Sequence, residues 1–285
     1  MNQEEEFSKW DTVILPKRGL LELHLSEVWK YRDLLRMFVK RDFVTYYKQT
    51  ILGPVWFFIQ PIFTTLTYML IFGNVARIST DGMPQILFYM SGVTAWNYFA
   101  ECFNKTSTVF KDNQAIFGKV HFPRLITPLS IVVSNLIKFG IQLLLFVLIL
   151  GYYLWSGTSI IPNSALLLLP VLIALMAGLG LGAGMLITSM TTKYRDLVFL
   201  LQFGIQLLMY ATPVIYPLST IPEKYKWIIM ANPMTGIIET FRYAFLGSGQ
   251  LNWQLLGYDV AVTASLLILG TIVFNKTERT FMDTV

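Results

Sequence analysis

An all-α integral membrane protein with six transmembrane helices is the fold class this sequence predicts. Three observations carry the prediction. Only 14% of the 285 residues are charged and 54% are hydrophobic, whereas a soluble domain carries roughly 25% charged residues. Long stretches run without any charge, on the scale of the about 20 apolar residues that a bilayer-crossing helix needs. Lysine and arginine fall mostly on one side of those stretches. Disorder is excluded by the apolar and aromatic content, and a soluble enzyme by the charge deficit. The 42 aromatic rings (21 Phe, 14 Tyr, 7 Trp) call for a role beyond lipid solubility.

The charge-free stretches fix the spans in order. Residues 49–76 contain no charge, and neither do 82–100, giving spans near 54–74 and 84–104. Between Arg124 and Lys193 only Lys138 is charged. That length holds two spans, near 126–152 and 164–190, broken at Trp155-Ser156-Gly157-Thr158 and Pro162-Asn163, a turn composition. Residues 197–222 give a fifth near 196–215, and the last lies near 254–274. The segments before, between and after these spans then alternate. Seventeen Lys/Arg fall in 1–50, 101–125, 193–195 and the tail 276–285, against four on the other side, Arg77, Lys224, Lys226 and Arg242. Basic residues collect in the cytoplasm, so both termini are expected there. The first fifty residues contain no apolar core of the signal-peptide type.

Three segments do not span. Ser26 to Lys48 reads as an amphipathic helix, with Val28, Tyr31, Leu35 and Phe38 on one face and Lys30, Arg32, Arg36, Lys40 and Arg41 on another. It either lies in the headgroup plane or packs on the bundle. The polar stretch 105–125 is a docking loop or a connector. Residues 216–250 are too polar to span and too apolar for a free loop. Asn232-Pro233 splits them into two short helices, roughly 222–231 and 233–246, that read as a re-entrant hairpin between spans five and six; irregular backbone at membrane depth must be buried or line a watery cavity.

Polar residues inside the spans are the candidate functional groups. Ser130, Ser134, Lys138 and Gln142 recur every fourth residue of the third span and so share one face. Lys138 lies about 20 Å along that helix, where a charge needs a partner; Glu101 and Asp259 both qualify. The first span carries Phe57, Gln60, Thr64, Thr67 and Tyr68, and the fifth Gln202, Gln206, Met209, Tyr210 and Pro213. Rings stack on sugar faces, while amides and hydroxyls bond sugar hydroxyls, a combination that suits a sliding polymer. Interhelical hydrogen bonding accounts for the same residues. Gly178, Gly180, Gly182 and Gly184 make two interleaved small-xxx-small pairs suited to close helix packing.

Chemistry is not expected. One cysteine, Cys102, and two histidines, His24 and His121, make a poor metal set. No catalytic triad or carboxylate pair is apparent, and Gly118-Lys119 lacks the earlier glycine of a phosphate-binding loop. Any ATP is therefore hydrolysed by another chain.

Several motifs together resemble the type-2 ABC exporter permeases for cell-surface polysaccharides. They are Tyr47-Lys48-Gln49-Thr50, Leu52-Gly53-Pro54, Trp56 and Gln60-Pro61 at the first span, and Gly92, Trp96, Tyr98 and Phe99 in the second. Phe122-Pro123-Arg124, Tyr194-Arg195-Asp196 and Asn232-Pro233 complete the set. The resemblance runs from about Glu27 to the end of span six. It implies a permease domain over 51–275 that works as a homodimer with two cytoplasmic ATPase subunits. It further implies outward movement of an undecaprenyl-diphosphate-linked glycan (O-antigen, capsule or teichoic-acid-like) across the bacterial inner membrane. The chain would need no cofactor of its own, since ATP and Mg²⁺ would sit in the partner, and it would not bind nucleic acid.

The same resemblance assigns residues. Phe110, Asp112, Asn113 and Phe117, with Tyr194, Arg195 and Asp196, would contact the ATPase. Phe57, Gln60, Thr64, Tyr68, Trp96, Tyr98, Gln202, Gln206 and Tyr210 would line the channel. The basic juxtamembrane residues Arg41 and Lys48 would meet the lipid diphosphate, as such residues attract anionic headgroups. Residues 1–25, with Glu4-Glu5-Glu6 and the Leu21/Leu23/Leu25 alternation, match no part of the pattern. Alternatives are a type-2 exporter of a small molecule, an ion-coupled carrier, for which no second repeat half is visible, and a membrane enzyme acting on lipid-linked sugars.

Overall fold

A computed structural model describes residues 29–284 except Gln49, His121, Ser159, Arg195 and Gln250; the side chains of Tyr46, Tyr47 and 279–284 also lie outside that description. The expectations for residues 1–28, including the start of the amphipathic helix at Ser26 and Val28, lie outside it as well.

The described residues contain helices and turns and no strand. In chain order the helices are α1 (Arg32–Tyr47), α2 (Trp56–Tyr68), α3 (Gln85–Ser107), α4 (Val109–Asp112) and α5 (Gln114–Phe117). There follow α6 (Ile126–Trp155), α7 (Leu169–Lys193), α8 (Leu197–Tyr210), α9 (Glu223–Met230), α10 (Pro233–Leu246) and α11 (Trp253–Thr284). Four stretches are long and apolar enough to cross a membrane: Gly53–Val75, Ile126–Trp155, Ser164–Lys193 and Trp253–Glu278. The other two expected spans fall short for opposite reasons. Helix α3 has 23 residues but carries Asn97, Glu101, Asn104 and Lys105. Helix α8 is apolar but stops after 14 residues, about 21 Å at 1.5 Å per residue, short of a roughly 30 Å hydrocarbon core. The expected fifth span to residue 215 therefore ends as helix at Tyr210.

Helix α3 tolerates its polarity because it is the centre of the bundle. It packs against α6, α7, α10 and α2, and most of its residues are buried. The glycines of α7 explain how two neighbours come so close. A Cβ on Gly180 or Gly184 would stand 2.7 Å from Cys102 and 2.6 Å from Thr106 of α3, respectively. One on Gly178 or Gly182 would stand 2.6 Å from Thr263 and 2.7 Å from Leu266 of α11, respectively. Each of the two interleaved pairs thus serves a different helix, and both approaches are closed to any side chain.

Helix α1 lies along α6. Phe38 is buried with Phe122, Ile131, Phe110 and Phe274, while Arg32, Arg36 and Lys40 point outward. The apolar stripe thus packs at least partly on protein.

The polar segment after α8 folds as two helices at the residues the sequence suggests. Asn232 caps α10, its Oδ1 accepting from Met234 N at 3.1 Å with Pro233 in the first turn. Gly247 ends α10 at φ +70°, where a Cβ would stand 2.7 Å from Ile161 O. Asn163 joins this end to the third long stretch, Ser164–Lys193, donating to Tyr243 O at 2.9 Å.

Candidate functional site

A groove of about 900 Å³ opens between the start of α2, the middle of α3 and the middle of α6. Its walls include Trp56, Phe57 and Phe63, the polar residues Gln60, Thr64, Asn97 and Gln142, and the charged pair Glu101 and Lys138. Helical spacing assembles these walls. Gln60 and Thr64 stack one turn apart on α2, Asn97 and Glu101 on α3, and Lys138 and Gln142 on α6.

The pair resolves which partner Lys138 takes. Its Nζ lies 3.2 Å from Glu101 Oε2, with Lys105 at 3.9 Å from the same oxygen. Asp259 is elsewhere, buried beside Gly236 of α10, and neither of its oxygens has a hydrogen-bond partner among the described residues. Of the rest of the third-span stripe, Ser130 donates to Thr127 O at 2.7 Å and Ser134 to Asp42 Oδ2 at 3.3 Å, reaching α1.

Gln60, Thr64, Asn97 and Gln142 make no side-chain hydrogen bond among the described residues. Four unused polar groups on one groove, together with rings, form a surface that can hold a hydroxyl-bearing ligand in many registers.

Other expected channel residues sit differently. Tyr68 lies beyond the groove, its hydroxyl 3.5 Å from Met209 Sδ of α8 and its ring against Phe72 and Tyr89. Gln202, Gln206 and Tyr210 are exposed on α8, away from the groove. Trp96 and Tyr98 are each 3% exposed. Tyr98 packs on Phe139 at 5.0 Å and Trp96 on Phe99 at 5.3 Å. Their helix is central, so its rings fill the core of the chain.

The expected docking residues also divide. Phe110 and Phe117 turn inward: Phe110 stacks on Phe274 at 4.8 Å and meets Phe117 at 5.6 Å. Asn113 is buried, donating to Val109 O at 2.9 Å. Lys111, Asp112, Gln114, Ala115 and Lys119 form the outward side, with Asp112 accepting from Thr108 at 2.6 Å. Tyr194 is exposed under Lys193, whose Nζ sits 5.2 Å from the ring; Asp196 is exposed and Arg195 lies outside the described residues. Beside Phe117, burial pushes Arg124 below the usual guanidinium value while Glu278 draws it back up.

Of the two expected diphosphate contacts, Lys48 is exposed at the end of α1, near groove-lining Thr45 and Thr50. Arg41 is engaged: it pairs with Asp42 at 2.8 Å, sits 4.7 Å over Phe38 and donates to Asn113 Oδ1 at 3.5 Å.

Two residues escaped the sequence reading. Asn97 is one turn from Glu101, a spacing that marks a polar stripe on α3. Arg242, counted among the loop cations, is 1% exposed. It donates to Pro213 O at 2.5 Å and Val214 O at 2.7 Å, and its guanidinium lies 3.8 Å from the Phe88 ring centroid. Ser91 Oγ at 3.4 Å and Glu239 Oε1 at 3.4 Å complete its shell. The signal is the end of α8 before Pro213: buried carbonyls at Pro213 and Val214 fall outside any helix and need donors from elsewhere. Gly92 makes room, since a Cβ there would stand 2.8 Å from the Arg242 Nη2.

Among the described residues, an all-helical bundle with four candidate membrane spans and a groove between its helices defines a membrane protein with room for a ligand. The model of the ABC-2 type transporter family matches residues 33–246, and the chain belongs to that family. It is 28% identical over 251 residues to the O-antigen export system permease protein RfbA of Klebsiella pneumoniae, covering 88% of this chain and 94% of that protein. It is 28% identical over 264 residues to the protein of the same name from Myxococcus xanthus (92% and 98%). The polysialic acid transport protein KpsM of Escherichia coli is 19% identical over 242 residues (85% and 92%).

Proposed function

We propose that this chain is the membrane permease subunit of an ATP-driven exporter of a cell-surface polysaccharide, and that the polymer passes along the groove between α2, α3 and α6. The names of its relatives support the substrate class. The observation that carries the path is the convergence of Gln60, Thr64, Asn97 and Gln142, all without hydrogen-bond partners, with the rings of Trp56, Phe57 and Phe63.

In this reading α3 and α8 join the four long stretches to make six crossings. Helices α9 and α10 form a re-entrant pair on the outer side, α1 lies at the inner headgroups, and both termini face the cytoplasm of the inner membrane. Two copies pair across the open faces of α2 and α8, whose exposed Gln60, Gln202 and Gln206 would be costly against lipid. Two cytoplasmic ATPase subunits, which hold ATP and Mg²⁺, dock on the outward side of α4 and α5 and on Tyr194 and Asp196. Their rigid-body motion reaches the groove through Arg41–Asn113 to α1 and Asp42–Ser134 to α6. The polymer arrives on a lipid diphosphate met by Lys48.

The test is complementation of a deletion strain. Gln60→Leu/Asn97→Leu should accumulate in the membrane at the wild-type level and reduce surface polymer at least tenfold, with polymer retained inside. Wild-type surface polymer from that variant would refute the path.

A further inference from the structure

Glu101 and Lys138 are the two charged residues among those lining the groove, and they are not equally available. The side chain of Lys138 is 12% exposed and that of Glu101 is 45% exposed. The lysine lies underneath, 5.9 Å from the Phe57 ring centroid, while the carboxylate stands in the opening. A carboxylate has about four lone-pair sites. Lys138 at 3.2 Å and Lys105 at 3.9 Å approach the same oxygen, Oε2. Among the described residues the other oxygen has no hydrogen-bond partner, and Asn97 is one turn away.

A hydroxyl donating to a carboxylate makes a hydrogen bond roughly twice as strong as one to a neutral acceptor. A second carboxylate brought to the same place is repelled, and more strongly in a low-dielectric cleft than in water. The two effects act in the same direction.

We infer that Glu101 is the specificity-determining acceptor of the groove, selecting a polymer whose repeat units present uncharged hydroxyls over one that presents a run of carboxylates. This rests on the polysaccharide reading above and narrows its substrate class. Lys138 is a positioning residue that holds the acceptor in place.

The test uses the full chain in lipid nanodiscs, with maltohexaose as the neutral probe and hexagalacturonate as the acidic one, and quenching of tryptophan fluorescence (Trp56 lines the groove) as readout. Wild type should bind maltohexaose at least tenfold more tightly than hexagalacturonate, the scale of one charge-assisted hydrogen bond. The exchange Glu101→Lys/Lys138→Glu keeps an ion pair but puts the cation in the opening, and should reverse the preference. Where the exchanged chain does not elute as a folded species, Glu101→Gln/Lys138→Gln serves instead and should bring the ratio close to one. Equal binding by wild type, or an unchanged preference in the variants, overturns this inference and leaves the polysaccharide reading standing. If neither oligosaccharide binds wild type, that reading falls, and this one with it.

Discussion

Lys138 and Arg242 are both cations inside the helical bundle, held in opposite ways. Lys138 meets one carboxylate at the edge of an open groove whose amides and hydroxyls are unspent. Arg242 is sealed in. Two carbonyls, a hydroxyl and a carboxylate accept from it, and a phenyl ring covers its face. These contacts make Arg242 a joint between α10, α3 and the broken end of α8. Asn232 adds to it, donating to Thr212 Oγ1 at 2.7 Å, and Ser219 binds both oxygens of Asp81 at 2.8 Å, tying the loop before α3 to the segment after α8. Around Lys138 the groove keeps amides and hydroxyls with no hydrogen-bond partner among the described residues, and the proposed path rests on them.

That contrast can be broken most forcefully at Arg242. Arg242→Met leaves the Pro213 and Val214 carbonyls without their donor and Glu239 without its partner, and should cost about 3–5 kcal/mol, the usual loss on breaking a buried pair. A fall in folded yield and in the thermal midpoint in detergent checks this. Arg242→Lys should not restore it, because an ammonium cannot reproduce the fork that reaches two carbonyls. If Arg242→Met melts like wild type, the joint is not structural.

The opposite result is expected at the groove. Glu101→Leu/Lys138→Met replaces an ion pair by apolar volume, a change that is often neutral or stabilising. Stability read from the melt should stay within about 1 kcal/mol of wild type while surface polymer falls at least tenfold. Loss of folding in this variant would put Lys138 in the same structural class as Arg242. Between these extremes, Asn232→Ala removes the cap of α10 and the bond to Thr212 and should cost about 1–2 kcal/mol, read by the same melt. At the far end, Lys226→Ala breaks an exposed pair with Glu223 and should change stability by under about 0.5 kcal/mol, with export intact.

How much of this was legible in the sequence varies by residue. The glycine stripes of α7 and the break between α9 and α10 at Asn232-Pro233 were readable because each depends on local spacing alone. The stripe from Ser130 to Gln142 was readable for the same reason, but its partner was not. Glu101 and Asp259 are alike in type, and only the packing of α3 on α6 chose between them. Trp96 and Tyr98 were expected to line the channel, yet their rings face inward because α3 is surrounded. Arg242 was counted as a loop cation because the span tally treats residues between spans as exposed. Its burial depends on Ser91 and Phe88, about 150 residues earlier in the chain, and on a proline-broken segment some 28 residues away.

Embedding in a membrane, the break at Asn232-Pro233 and which helix could pack closely were all determined by the sequence alone. Each follows from charge density, from the lengths of apolar runs or from glycine and proline positions, and these are properties of contiguous residues. Which polar groups end up satisfied was decided only by the tertiary structure. A hydrogen bond needs a donor and an acceptor from segments that meet in space, and in this bundle those segments lie tens of residues apart or more.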